Sequence, residues 1–220
     1  MSATTDVRTT ARAGVRRPDR LVGGLLLLAG VTFVAGGALH PADGGEGSKV
    51  QQLHDMLVDP AWYPSHALML VALAGFAAAV LVLWVEGVAD PRMARLTGVV
   101  AVVAVLGVVG MTLHLFAATG ADALADGQET WLYHLQTWNE TVVDAVWALG
   151  MTALAVAGGL TRSLGNRVTA AVGLVGGLAF GLASATIAFT DLFDGLFPVG
   201  SLLGVWAVVT GVLVARRRAA

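Results

Sequence analysis

Cysteine is absent from the 220 residues, which excludes disulfides, thiolate metal sites and thiol nucleophiles together. Charge is nearly as scarce: 13% of the residues are Asp, Glu, Lys or Arg, against 56% apolar, a balance foreign to a water-soluble domain of this size. Lysine is reduced to Lys49 and every other basic residue is Arg, a usage that fits a GC-rich bacterial genome. Several chemical signatures are missing too. No Gly loop is followed by Lys-Ser or Lys-Thr, no Gly-x-Ser-x-Gly elbow is present, and there is no His-Glu-x-x-His, so phosphate-loop, serine-hydrolase and zincin readings fall away. The arginines lie scattered beside apolar runs, where membrane topology accounts for them, and nucleic acid is not an expected partner.

What the chain has is apolar length. Six runs, at about 21–39, 66–85, 96–116, 138–160, 168–190 and 199–215, each approach the roughly 20 residues needed to cross a hydrocarbon layer of about 30 Å at 1.5 Å per residue. The expectation is an all-α polytopic membrane protein, one six-helix transmembrane bundle surrounded by lipid. Residues 1–20 carry five arginines and few large apolar side chains, and read as a disordered tail. A cleaved signal peptide is the competing reading of the first run.

The signs of charge give an independent test of the topology. With the amino terminus inside, 12 of the 13 Lys and Arg residues fall in the tail, the even-numbered turns or the carboxyl end at 216–220, and 11 of the 15 acids fall at or near the other side. That asymmetry predicts both ends in the cytoplasm of a bacterial cell, with the protein in its cytoplasmic membrane. The longest outer connection, 41–64, then forms a lid. Within it Ser48-Lys-Val-Gln51 has the form of a capping box, opening a short helix to about Val58 whose apolar face is Val50, Leu53 and Leu57. Trp62 and Tyr63 read as headgroup-level anchors of the second span.

The stretch from Trp131 to Trp147 organises the rest, because it places Glu140 and Asp144 in what otherwise reads as a spanning helix. Counting inward from Trp138, Asp144 lies about 9 Å down the helix, a depth at which a carboxylate needs a cation or hydrogen-bond donors beside it. On a wheel of 100° per residue His134, Thr137, Thr141 and Asp144 share one side, with Glu140 at its edge.

All five histidines, His40, His54, His66, His114 and His134, map to the outer half. His40 ends the first span, His66 begins the second, His114 lies near the end of the third and His134 begins the fourth, so four helix ends at one level can bring imidazoles together. Imidazole is the commonest metal ligand and carboxylates complete a shell. The leading expectation is therefore a transition-metal site built from His66, His114 and His134 with Asp144 or Glu140, and with His40, His54 and Asp191 as secondary candidates. A haem held by two histidines is the second form of the idea, and redox chemistry or metal handling is the function either would serve. The alternatives are a small proton-coupled transporter using Asp144 and His114, and an accessory membrane subunit without catalysis, in which the histidines only hydrogen-bond loop backbone or acids. Gly173, Gly177 and Gly181 line a small-residue strip that packs either within the subunit or against a second copy.

Overall fold

The computed structural model describes residues 17–42 and 47–217. Positions 1–16 of the tail expected at 1–20, positions 43–46 of the lid and 218–220 of the carboxyl end lie outside the described residues, whereas positions 17–20, expected in the tail, form the first turn of α1. In hydrocarbon every backbone N–H and C=O needs an internal partner, and among the described residues the answer is helix throughout, with no strand. The helices are α1 (Arg17–Leu39), α2 (Lys49–Leu57), α3 (Trp62–Val85), α4 (Ala94–Phe116), α5 (Ala121–Ala125), α6 (Trp131–Trp138), α7 (Ala145–Leu160), α8 (Arg167–Thr186), α9 (Phe197–Gly200) and α10 (Leu202–Ala215). A π-helical segment, Asn139–Asp144, joins α6 to α7. Counted as continuous helical stretches, six are long and apolar enough to cross a membrane: Pro18–Leu39, Trp62–Val85, Pro91–Ala125, Trp131–Leu160, Arg167–Thr186 and Asp194–Ala215.

The spans close into a ring. α1 packs on α3 and α10, α10 on α8, α8 on α7, α7 on α4 and α4 on α3, so each span's neighbours in space are its neighbours in sequence, and the seam joins first to last. Close approach at that seam depends on glycine. A Cβ at Gly30 would meet Gly204 O at 2.5 Å and Val208 N at 2.9 Å, and one at Gly23 would meet Gly211 O at 2.6 Å. Backbone cannot yield as a flexible side chain does, so Gly30→Ala is expected to lower stability by about 1–3 kcal/mol. Thermal unfolding in detergent, followed by circular dichroism, checks this, and an unchanged midpoint would mean that the seam has slack. Gly173 and Gly177 have the same role elsewhere, whereas a Cβ at Gly181 would stand at ordinary contact distance, 3.4 Å from Ala148 Cβ. Side chains at the first two would meet Ala155 and Trp206, and Thr152 and Ala148, respectively. The strip is filled by α7 and α10 of the same chain.

Inside the ring, aromatic side chains from four spans meet. Phe33 lies 6.1 Å from Phe76, 5.9 Å from Trp147 and 5.6 Å from Phe180 between ring centroids, separations at which edge and tilted aromatic contacts are favourable. Below this knot, toward the arginine-bearing end, the axis is filled by Met151 and Leu154, both fully buried. At that end Arg217 donates to Ser163 O at 2.5 Å and Arg162 O at 2.9 Å, fastening the turn between α7 and α8.

The other end carries the lid. Ser48 caps α2, its Oγ accepting from Gln51 N at 3.3 Å. Leu53 and Leu57 bury against Trp62, Ala117, Ala121 and Leu124, with Val50 partly buried beside them. This second small core alters one expectation. Tyr63 is exposed, but Trp62 is 0% exposed, because α2 and the α4–α5 corner cover it. Its indole N–H donates to Leu115 O at 3.2 Å.

Candidate functional site

Beneath the lid three histidines from three spans converge. His40 follows the last residue of α1, His66 lies in the first turns of α3 and His114 in the last turn of α4. Their rings are neighbours, 4.8 Å from His40 to His66 and 4.5 Å from His66 to His114 between centroids. Trp62 stacks on His66 at 3.8 Å with an interplanar angle of 27°. One ligand atom from each histidine lies within 4.8 Å of the others, and His66 and His114 are buried.

Hydrogen bonds set which nitrogen each ring offers. His66 Nδ1 is 2.6 Å from Trp62 O and His40 Nδ1 is 2.7 Å from Pro41 O. A carbonyl only accepts, so Nδ1 carries the proton in both and the lone pair is on Nε2. His66 Nε2 is buried with no hydrogen-bond partner. A backbone carbonyl on one imidazole nitrogen with the other left as a lone pair is the arrangement that orients metal-ligating histidine. His114 Nδ1 is also buried without a hydrogen-bond partner, 3.4 Å from Glu140 Oε1 but not in bonding geometry.

Glu140 and Asp144 arrive on the π-helical segment. Asp144 is 8% exposed, and its Oδ1 has no hydrogen-bond partner, nor do the side-chain atoms of Asn139 and Thr141 Oγ1. Such buried polar atoms are uncommon and call for an explanation, a bound ion or ligand among them. Both acids line a cavity of about 550 Å³ that extends from the lid to the aromatic knot. His40 and His114 also line it, whereas Phe33 and Phe180 close it below.

The residues proposed from sequence therefore separate. His66, His114 and Glu140 come together, with Asp144 on the adjoining cavity wall, and His40, a secondary candidate, is a full member of the group. His134 is not. Its side chain is 58% exposed and faces Glu129 at 3.8 Å. The π segment is the reason. It accommodates one extra residue, so the ten positions between His134 and Asp144 count as nine helical steps, and nine steps of 100° put the two on opposite faces, about 180° apart. The same shift turns Gln136, 1% exposed, to the inside. Gln136, Asn139 and Trp62 were not singled out as site residues. The excess of polar residues over one stripe between 131 and 144 was the available signal. His54 pairs with Asp55 on the exposed face of α2.

Asp191 has a separate task. Lys49, at the start of α2, forms an ion pair with Asp191 and lies 3.8 Å from Asp194, tying the lid to the turn before α9. The Lys49 ammonium holds the Asp191 carboxyl below its ordinary value of 3.8. A folded value lower than the unfolded one means that the tie is complete above the ordinary carboxylate range and is lost as pH falls through the depressed value. Nitroxides placed at Val58 and Leu192, both exposed, are expected to give a narrow distance distribution at neutral pH that broadens only in acid. Lys49→Ala should broaden it at every pH, and a narrow distribution in that variant would count against the tie.

These elements define an integral membrane helix bundle with a group of three histidines, two of them buried, at one end. Among known proteins, no family model, no curated protein and no solved structure matches the chain.

Proposed function

We propose that this membrane protein binds a transition-metal ion through His40, His66 and His114 and serves metal handling at the outer face of a bacterial cytoplasmic membrane, with both termini in the cytoplasm. The observation that carries the reading is the convergence of three imidazoles, two of them oriented by backbone carbonyls that hold the proton on Nδ1. Three nitrogen ligands suit zinc, copper, iron or nickel, and three protein ligands leave a fourth position for water, substrate or the neighbouring Glu140. Tetrahedral zinc with Zn–N bonds of about 2.0–2.1 Å places its ligands about 3.3 Å apart, so loading draws the widest pair together by rotation of side chains. A haem with two axial histidines has less support. Rings whose centroids are 4.5–4.8 Å apart leave no gap for a porphyrin between them.

The sidedness rests on the arginine asymmetry and is tested by the location of a carboxyl-terminal reporter. Metal binding is tested by titrating the chelator-stripped, detergent-purified protein with zinc and cobalt. Near-stoichiometric uptake with a shift in the unfolding midpoint is expected, and neither metal bound after loading would remove the reading. A proton-coupled carrier built on Asp144 and His114 has weaker support, since Trp147, Met151 and Leu154 fill the axis beyond Asp144.

A further inference from the structure

The cavity contains chemistry that the histidine group does not use. At about 550 Å³ it lies within the range of about 300–1,000 Å³ found for small-molecule sites. Much of its wall is apolar, with Phe33, Met69, Met111, Phe180 and Phe197 contributing. Into this space project two acids one turn apart, Glu140 and Asp144, and a buried Asp144 oxygen has no hydrogen-bond partner. None of the described residues lining the cavity is Lys or Arg. Lys49, the chain's one lysine, is held at the rim by Asp191 and Asp194. Acids facing an apolar space without a basic residue are complementary to a cation that arrives already poorly hydrated. Phe33, Phe180 and Phe197 line the same space, and aromatic rings attract such an ion. A small, strongly hydrated ion would satisfy the acids and leave the apolar wall without a partner.

We propose that the cavity between the lid and the aromatic knot binds a lipophilic organic monocation, of the alkyl- or arylammonium type, its charge against Glu140 and Asp144 and its apolar substituents against Phe33, Met111 and Phe180. This site adjoins the histidine group: His40 and His114 border both, and Glu140 lies 3.4 Å from His114 Nδ1. Pro41, Ala42 and Met56 line the cavity at the lid end.

The test uses the full chain in lipid nanodiscs, stripped with a chelator so that the outcome does not depend on metal loading. Radiolabelled tetraphenylphosphonium is the probe and tetraphenylborate, of the same shape and opposite charge, is the comparison. Saturable binding of the phosphonium, which tetraphenylborate does not displace, is expected. Glu140→Gln and Asp144→Asn should each weaken it by at least about tenfold. Displacement by the borate equal to that by unlabelled phosphonium would overturn the proposal, as would the absence of saturable binding or full affinity in the double variant. The comparison of the two ions on the unsubstituted protein decides the matter even where a variant fails to fold.

Discussion

Replacing His66 by Ala is expected to weaken zinc or cobalt binding by more than about 100-fold, because even partners one shell removed from a metal change affinity by about 10–100-fold. His66 is the middle ring of the three, within 4.8 Å of both others, and its Nδ1 is committed to Trp62 O. No other described imidazole stands close enough to take its place. His134→Ala, on the outward face of the same end, should bind as the unsubstituted protein does. Titration of both variants, with size-exclusion profiles to show that each remains monodisperse, gives the comparison. Wild-type affinity in His66→Ala, or its loss in His134→Ala, would show that the metal is held elsewhere.

The second large effect concerns stability. Trp62 is fully enclosed, stacks on His66 and joins the start of α3 to the end of α4 through its bond to Leu115 O. Trp62→Ala removes a large buried side chain from beneath a lid that has few other apolar anchors, and such truncations cost about 3–5 kcal/mol. Trp62→Phe retains an aromatic face for His66 and loses the indole donor, leaving Leu115 O without its side-chain partner, a smaller loss of about 0.5–1.5 kcal/mol from the hydrogen bond. Chemical unfolding in mixed micelles separates the two, and equal stabilities would mean that the lid end unfolds independently of the bundle. Because the same indole positions His66, metal affinity should fall in the order wild type, Phe variant, Ala variant.

The membrane-spanning architecture was legible because it depends on length and apolarity alone. α3, for example, occupies nearly the run expected for the second span, extended at its start to Trp62. The short lid helix was legible from Ser48, whose hydroxyl has few other uses before Lys49. The candidate site was legible in part. His66 and His114 sit at helix ends on one level, and that follows from the spacing of the apolar runs. His134 was misplaced since a helical wheel assumes a constant 100°, and the wider turn at Asn139–Asp144 has no residue signature that betrays it. Trp62 was read as a headgroup-level anchor because nothing local shows that a helix from the preceding loop will cover it. Both misplacements are tertiary in origin: one depends on what the outer half of α6 packs against, the other on what lies over α3.

The closed ring has a consequence for biogenesis. His40, His66 and His114 all belong to or directly follow the first three of the six spans, so the imidazoles can assemble while later spans are still being synthesised. The Gly23 and Gly30 face of α1, by contrast, waits for α10, which is made after the other five spans. Until then the nascent bundle has an open flank toward the acyl chains, and truncation before α10 should yield a species that retains the triad yet leaks its cavity sideways into lipid.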